Sequence, residues 1–344
     1  LGGVFLAVIA VGLYKFGIFS AEENVRKAKN VPEIQAFKEI DLAFEHKAHE
    51  ERFPFLGGAV IDVEGDGKME IFISGSKGQN SALYSYQNGQ LTDISSKVNL
   101  NTNEAAFGAV SIDIDNDTDV DLIVGQQNGV WLYNNDGGRF IAQKISVNSP
   151  KNSFPLGVAT GDINKDGLPD LYISHFVSPS HFKASTFNNP DHAKSNILLL
   201  NTGNRTFRDI TRSSGTAGNK NTFHSTFVDL NNDGYQDLVL ANNTGALDIF
   251  ENKKNLTFSK TTKFDSGLGY WMSLSVGDFD KDGDQDLFFS NIGSSIPKNL
   301  VRGDLKEDED VGLEWLLLRN EGDFNFTDVT KEHELTEYGF GWGG

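Results

Sequence analysis

Short apolar runs recur along this chain, and each follows a loop rich in aspartate. The pattern Asp-x-(Asp/Asn/Glu)-x-Asp-Gly-x-x-(Asp/Glu), trailed by an apolar run, occurs five times, with Thr118 in place of glycine in the second copy. The copies are "DVEGDGKMEIFI", "DIDNDTDVDLIV", "DINKDGLPDLYI", "DLNNDGYQDLVL" and "DFDKDGDQDLFF", which start at residues 62, 113, 162, 229 and 278. The steps between them are 51, 49, 67 and 49 residues, and the long step contains the insertion "HFVSPSHFKASTFNNPDHAK". A nearly constant step predicts a repeat architecture.

The segments around each loop have the pattern of short β-strands. A small-residue apolar segment such as "FGAVSI" precedes the loop, and alternating segments such as "VWLYNNDGG" and "FRDIT" follow it. Four short strands in a unit of about 50 residues are typical of a β-propeller blade. We therefore predict an all-β β-propeller of four-stranded blades. Five acidic-loop repeats are complete, and "YGFGWGG" resembles the start of a sixth in a ring of seven blades.

The segment 37–46 has the pattern of a last blade strand, although it precedes the first acidic loop. A propeller closes its ring when an N-terminal strand pairs with the C-terminal blade, which removes exposed sheet edges. We predict this role for 37–46, with Ile40, Leu42 and Phe44 pointing inward.

The N-terminal residues 1–20 are almost wholly apolar, with Lys15 as the single charge. A helix of about 20 apolar residues can span a bilayer, so we predict a transmembrane signal anchor. The alternative is a signal peptide that is cleaved. Residues 21–36 are charged and are predicted to be a linker to a propeller domain over 37–344. The anchor would place that domain outside the cytoplasm, in the periplasm or at the cell surface, whereas cleavage would make the protein secreted.

The acidic loops have the ligand spacing of a calcium-binding loop. Oxygen ligands at positions 1, 3, 5 and 9 surround one cation when glycine at position 6 allows a tight bend. The predicted metal ligands are Asp62, Glu64, Asp66 and Glu70; Asp113, Asp115, Asp117 and Asp121; Asp162, Asn164, Asp166 and Asp170; Asp229, Asn231, Asp233 and Asp237; and Asp278, Asp280, Asp282 and Asp286. Position 7 would contribute its backbone carbonyl, so we expect the side chain of Asp284 to face water. The alternative is a set of Asp/Asn turns capped by their own side chains and by water.

The five loops differ in quality, and together they would hold up to five Ca²⁺ ions. The loops that start at Asp162, Asp229 and Asp278 match the calcium pattern best. In the second loop Thr118 is β-branched at a position that requires positive φ. In the first loop Glu64 and Glu70 carry an extra methylene group. We expect these two loops to bind calcium more weakly or to hold water.

Composition narrows the classes of partner and chemistry. The formal net charge is -18, which argues against nucleic acid and favours cations. The chain has no cysteine, which excludes disulfides, thiolate metal sites and cysteine nucleophiles. Calcium sites of this kind fill most readily outside the cytosol, in agreement with the apolar N-terminal segment.

The repeats resemble the FG-GAP/VCBS repeat family, whose calcium-loop blades also occur in integrin α-chain propellers. Within that family the chain resembles the ASPIC/UnbV group, which is related to cartilage acidic protein, over "AFEHKAHEERFPFLGGAVIDVEGDG" (43–67), "LLLRNEGDFNFTDVT" (316–330) and "YGFGWGG" (338–344). The resemblance covers residues 37–344. It implies an extracytoplasmic binding or adhesion scaffold with calcium in the blade loops, and it transfers no catalytic residue.

The search for catalytic chemistry leaves one candidate region, the insertion of the third repeat. His175, His181 and His192 lie in or beside it together with Asp191, which suggests a second metal or ligand site. The alternative is a polar, solvated loop. We recognise no catalytic residues and expect a membrane-tethered, calcium-binding scaffold for a protein or glycan at the cell surface. The alternative function is a polysaccharide-active lyase or hydrolase.

Overall fold

Each of the five acidic loops joins the first two strands of its own four-stranded antiparallel sheet. The computed structural model describes residues 40, 42–47, 55–293, 296–336 and 338–341. We call each sheet a unit and number the units one to five along the chain. The prediction of an all-β chain made of four-stranded sheets is confirmed.

The strands of the units are short. Unit one contains β1 (Gly58–Ile61), β2 (Glu70–Ile73), β3 (Ala82–Gln87) and β4 (Gln90–Asp93). Unit two contains β5 (Ala106–Ile112), β6 (Asp121–Gln126), β7 (Gly129–Asn135) and β8 (Phe140–Ile145). Unit three contains β9 (Ser153–Gly161), β10 (Asp170–Val177), β11 (Ile197–Asn201) and β12 (Phe207–Asp209). Unit four contains β13 (Asn221–Val228), β14 (Asp237–Gly245), β15 (Asp248–Asn252) and β16 (Phe258–Lys260). Unit five contains β18 (Ser273–Gly277), β19 (Asp286–Ser290), β21 (Leu316–Asn320) and β22 (Phe326–Asp328).

Two more strands extend the sheet of unit four to six strands. The strands β17 (Leu268–Tyr270) and β20 (Val311–Gly312) pair in parallel, and β17 also pairs with β14. The helical segments of the described residues are brief: α1 (Thr211–Ser214), α2 (Lys298–Val301) and a 3-10 turn (Pro190–His192). None of the helices in this part of the chain is long and apolar enough to cross a bilayer. The predicted anchor and linker, 1–36, lie outside the described residues.

The hydrophobic core lies between successive sheets. Phe72 and Leu83 of unit one pack in one cluster with Leu122 and Tyr133 of unit two. Because successive side chains of a strand point to opposite faces, a sheet inside the array is covered on both sides. All residues of β6, β10 and β14 are accordingly buried. The apolar run that follows each acidic loop is therefore the second strand of its unit.

The first strands of successive units contact one another, from β1 through β5, β9 and β13 to β18. Two glycines permit this approach in the first three units. A Cβ atom on Gly57 would lie 1.3 Å from the carbonyl oxygen of Phe107, and one on Gly108 would lie 2.4 Å from that of Leu156. The small-residue segments noted in the sequence thus let backbones meet. The arrangement is consistent with propeller blades, while ring closure and a total of seven blades stay predictions.

A buried carboxylate begins the second strand of every unit, and it is the ninth residue of the acidic loop. In unit four, Oδ2 of Asp237 accepts a hydrogen bond from the N–H of Leu230 at 2.9 Å. Its Oδ1 accepts one from the N–H of Asn252, at the end of the third strand, at 2.8 Å. Units two, three and five repeat both bonds. The carboxylate therefore ties the loop to two parts of its own unit.

The asparagine at the end of the third strand carries the contact to the preceding unit. Nδ2 of Asn252 donates to the carbonyl oxygens of Ile163, in unit three, at 2.9 Å and of Gln236 at 3.0 Å. Its Oδ1 accepts from the N–H of Lys254 at 2.9 Å, and the residue is 1% exposed. We call this arrangement the asparagine joint. It recurs at Asn135, Asn201 and Asn320.

The predicted ring-closing segment is described only in part. Residues 42–47 form no strand. Ile40 and Leu42 are 36% and 38% exposed, so the predicted inward direction is wrong for both. The segment attaches to unit one through its backbone instead: Tyr84 Oη donates to the carbonyl of Ala43 at 3.2 Å, and Gln79 Nε2 donates to that of Glu45 at 2.9 Å. Such contacts do not require its apolar side chains to be buried. Residues 37–39 lie outside the described part, and the ring-closing role stays a prediction.

The asparagine joint generates a stability prediction. Asn252→Ala removes three side-chain hydrogen bonds and leaves buried backbone groups in two units without a partner. An unpaired buried polar group costs about 1–3 kcal/mol, so we expect the free energy of unfolding to fall by about 3 kcal/mol in urea denaturation. The control is Asn148→Ala, at an exposed position, which should leave the stability nearly unchanged. Equal stability of the two variants would contradict the structural role of the joint.

Candidate metal centres in the acidic loops

The five acidic loops share one backbone conformation, which the first and fifth residues hold in place. In the fourth loop, Asp229 accepts the N–H of Asp233 on Oδ1 at 3.2 Å and the N–H of Gly234 on Oδ2 at 2.7 Å. Oδ1 of Asp233 then accepts the N–H of Tyr235 at 2.9 Å. The other four loops repeat these three bonds. The self-capping turns considered from the sequence are therefore present in all five loops.

Two residues of each loop adopt the left-handed backbone, although the sequence indicated only one. Position 6 has φ between 80° and 99° in the five loops, and position 4 has φ between 55° and 65°. Thr118 occupies position 6 of the second loop with φ 81° and makes the same hydrogen bond as the glycines. The expected difficulty at Thr118 therefore does not prevent the loop from forming. Weaker calcium binding there stays a prediction.

Carboxylate oxygens converge in two of the loops. In the second loop, ligand atoms of Asp113, Asp115 and Asp117 lie within 4.8 Å of one another. In the fifth loop the same holds for Asp278, Asp280 and Asp286. Oxygen-only donors at this separation suit Ca²⁺, which prefers carboxylates and carbonyls. The predicted ligand sets of these loops are thus brought together in part.

Asp115 provides an independent indication that a cation fits the second loop. Its Oδ1 is buried and has no hydrogen-bond partner in the described structure. Burial, followed by the nearby carboxylate of Asp117, raises the pKa of Asp115. A buried oxygen without a donor is costly. A divalent cation among the three aspartates would supply the missing partner and cancel their repulsion.

The third and fourth loops use an amide where the others use a carboxylate. Nδ2 of Asn164 donates to Oδ2 of Asp166 at 2.9 Å, and Asn231 makes the same bond to Asp233 at 3.0 Å. The amide oxygens also accept the N–H groups of these aspartates, at 3.2 Å in both loops. Their predicted ligands therefore lie next to one another, held by hydrogen bonds between positions 3 and 5.

The first loop places its two glutamates differently. Glu64 lies on the surface in an ion pair with Lys97. Oε2 of Glu70 accepts the N–H of Val63 at 3.1 Å, as the ninth aspartate does in the other loops. The extra methylene group therefore leaves Glu70 in the same structural position, whereas it lets Glu64 turn towards a lysine.

The ninth residue of the loop has a structural role that sequence reasoning missed. Its oxygens accept the backbone N–H groups described above, and burial raises the pKa of Asp121 to about 6 and those of Asp170 and Asp237 to about 7. The sequence pattern predicts this residue only as a metal ligand. Asp286 is part of a convergent carboxylate group as well, so both roles are compatible in the fifth loop.

Basic side chains contact several of the predicted ligands, which is not predicted from the sequence. Asp115 lies 3.7 Å from Arg205, Asp233 lies 3.2 Å from Lys254, and Asp280 lies 4.0 Å from Arg319. These bases come from third strands or from the turns that follow them. Asp284 also departs from expectation. Its Oδ1 accepts from Nδ2 of Asn232 at 2.5 Å, so its side chain contacts the fourth loop and does not face only water.

The histidines beside the third-unit insertion do not form a shared site. Lys183 donates its N–H to Nε2 of His192 at 3.0 Å, and burial lowers the pKa of this imidazole to about 4. Burial also lowers the pKa of His175 to about 4. His181 is exposed, and its Nδ1 contacts Ser178 and Ser180. The region is thus a partly exposed loop in which two of the three histidines, His175 and His192, are buried.

Contacts with unit five give this insertion its order. Oδ1 of Asp304 accepts the N–H of Phe187 at 2.6 Å and that of Asn188 at 3.2 Å. Nδ2 of Asn188 in turn donates to the carboxylate of Glu309 at 2.6 Å. The insertion of unit three therefore packs on the segment between β19 and β21, which we call the insertion of unit five. The sequence did not reveal this contact because more than 100 residues separate its two sides.

The buried imidazole of His192 predicts how stability depends on pH. Its folded pKa of about 4 lies below the ordinary 6.5, so its contribution is complete above pH 6.5 and is lost as the pH falls towards 4. At about pH 5 the loss amounts to about 2 kcal/mol. His192→Gln retains an acceptor for Lys183. In urea denaturation, the free energy of unfolding of this variant should fall by about 2 kcal/mol less than that of the wild type between about pH 7.5 and 5. The exposed His181→Gln is the control. An unchanged pH dependence in His192→Gln would contradict the prediction.

Comparisons with known proteins agree with the repeat. The family model described as FG-GAP-like repeat matches residues 62–124, 113–173, 186–240 and 229–289. No curated protein matches the chain. Among solved structures, the chain is similar to the crystal structure of the V. cholerae biofilm matrix protein Bap1, at 15% identity and a TM-score of 0.43. The match covers 78% of this chain and 38% of that one, so the chain spans well under half the length of that protein. The FG-GAP-like repeat matches together cover more than half of the chain, which therefore belongs to the FG-GAP-like repeat family.

Proposed function

We propose that this protein is a calcium-stabilised binding scaffold that acts outside the cytoplasm. The acidic loops hold Ca²⁺, and the stacked units present loops to a protein or glycan ligand at the cell surface. The apolar segment 1–20 tethers the scaffold to the membrane, and the ring closes as a β-propeller of the ASPIC/UnbV group. Membership of the FG-GAP-like repeat family supports the scaffold role.

The orphaned Oδ1 of Asp115, inside a convergent group of three aspartates, is the observation that carries the calcium proposal. Charge also supports the calcium proposal, because the net charge is -18 and many of the acidic residues lie in the five loops. Asp113, Asp115 and Asp117 would hold the ion through side-chain oxygens. The ion itself would supply positive charge and rigidity, and it would serve no chemical step.

A polysaccharide-active enzyme remains the alternative hypothesis. In the sequence, this hypothesis is supported by the group of histidines near the third-unit insertion. In the described structure His192 is committed to a backbone N–H and His175 is fully buried. These two histidines are therefore poorly placed to act as acid–base groups, and the scaffold is the function we favour.

Calcium dependence of stability tests the proposal. We expect the melting temperature to rise when CaCl₂ is added to chelator-treated protein, because a ligand that binds only the folded state stabilises it by mass action. At a calcium concentration about 100 times the dissociation constant, each site adds about 2.7 kcal/mol. Magnesium at equal concentration is the control for ionic strength. A melting temperature that is the same with calcium and with chelator would contradict the proposal.

A substitution in the second loop locates the effect. Asp115→Ala removes a ligand oxygen that makes no hydrogen bond, so we expect calorimetric titration to show one bound Ca²⁺ fewer than in the wild type. Asp136→Ala, at an exposed position outside the loops, is the matched control for the lost charge. An unchanged number of bound ions in Asp115→Ala would exclude the second loop as a calcium site.

A screen for ligands tests the scaffold role. Binding to arrays of glycans and extracellular proteins is measured with calcium and with chelator. We expect at least one ligand whose binding requires calcium and persists in Asp136→Ala. Measured turnover of a polysaccharide, without any such ligand, would favour the alternative.

A further inference from the structure

We propose that the acidic loops of neighbouring units bind their cations cooperatively. A path of hydrogen bonds connects each loop to the next, and a second set of side-chain contacts connects loops two to five. The inference rests on the proposed calcium function and concerns how the sites influence one another.

The first connection is an unbroken path from one ninth-position carboxylate to the next. In unit five, Oδ1 of Asp286 accepts the N–H of Asn320 at 2.8 Å. Nδ2 of Asn320 donates to the carbonyl of Leu230 in unit four, also at 2.8 Å. The N–H of Leu230 then donates to Oδ2 of Asp237 at 2.9 Å. Three hydrogen bonds thus join the ends of loops five and four.

The same path continues through all five loops. Asp237 connects through Asn252 and Ile163 to Asp170. Asp170 connects through Asn201 and Ile114 to Asp121. Asp121 connects through Asn135 and Val63 to Glu70. Every intermediate residue in this path is buried, so water does not compete for these bonds.

The second connection is made by position 4, which adopts the left-handed backbone. Asn232, in loop four, donates to the side chain of Asp284 in loop five at 2.5 Å. Asn116, in loop two, donates to the carbonyl of Gly167 in loop three at 2.8 Å. Nζ of Lys165, in loop three, lies 4.4 Å from the ring centre of Tyr235 in loop four. Loops two to five are therefore in side-chain contact in sequence.

A cation in one loop would restrain further the residues that these connections share. An ion in loop five would limit the remaining motion of Asp284 and Asp286, and Asn232 and Asn320 would pass this restraint to loop four. A second cation then meets a loop whose ordering cost is already reduced, which is positive cooperativity. The effect is reciprocal. Coupling between sites is typically about 5- to 150-fold in affinity, and we expect the low end, about fivefold, because two like charges oppose it.

Loop four contains its own spectroscopic reporter. Tyr235 occupies position 7, where the backbone carbonyl would contact the ion, and no other loop has an aromatic residue there. Tb³⁺ can replace Ca²⁺, and its emission is sensitised by a nearby excited tyrosine. The signal of loop four is the emission of the wild type minus that of Tyr235→Phe, recorded during a Tb³⁺ titration and then reversed with CaCl₂.

The test is to disable loop five and observe loop four. Asp280→Ala removes the position 3 ligand, whose carboxylate lies 4.0 Å from Arg319. We expect the Tb³⁺ affinity reported by Tyr235 to fall about fivefold in this variant. Asp62→Ala in loop one, which is three units from loop four, is the control. This variant should lower the Tb³⁺ affinity of loop four by less than Asp280→Ala does. Thermal denaturation in chelator checks that each variant is folded.

A double-mutant cycle isolates the contact between the two loops. Asn232→Gly keeps the left-handed backbone of position 4 and removes the bond to Asp284. We expect the effect of Asp280→Ala on loop four to shrink in the Asn232→Gly background. If Asp280→Ala leaves the loop-four affinity unchanged while Tb³⁺ still binds, the cooperativity is overturned and the calcium function stands. If no Tyr235-dependent emission appears and no calcium competes, the calcium function itself fails.

Discussion

The structure depends on a carboxylate that is buried at the start of the second strand of each unit. A buried carboxylate is tolerated only when hydrogen bonds replace its lost hydration. Here the backbone supplies them: one N–H comes from the loop and one from the end of the third strand, as at Asp237 with Leu230 and Asn252. The loop, the second strand and the third strand are thereby fixed to one another, and the asparagine joint extends the connection to the preceding unit.

This constraint explains why acidic loops and apolar strands alternate along the chain. The apolar run supplies the core between sheets, as Phe72 and Leu83 do with Leu122. The loop before it determines where that strand begins. Repulsion among its carboxylates is reduced by hydrogen bonds from the loop backbone and by bases such as Lys254. In this arrangement a cation would complete the loops, and it would not be needed to create their backbone conformation.

The two ends of the units are organised differently. Acidic loops connect first to second strands, whereas the insertions of units three and five follow second strands, so antiparallel pairing places them at opposite ends. At the insertion end, Asp304 binds the backbone of Phe187 and Asn188. Loops at that end do not have to preserve the spacing of metal ligands. They can therefore vary in length, as the 67-residue step shows. Changes in sequence at that end would not disturb the joints.

The sequence by itself determined the repeat, the all-β class, the second strand after every loop and the residues of the loops, because these follow from local spacing and strand periodicity. Only the tertiary structure decided the rest. The role of Asn252 depends on Ile163, 89 residues earlier, and the buried His192 is held by Asn221, 29 residues later. From the sequence, His192 is a candidate ligand, whereas no role is predicted for Asn252. Hydrogen bonds between units and contacts between insertions join residues that are far apart in the chain. The local spacing of residues in the sequence therefore does not predict them.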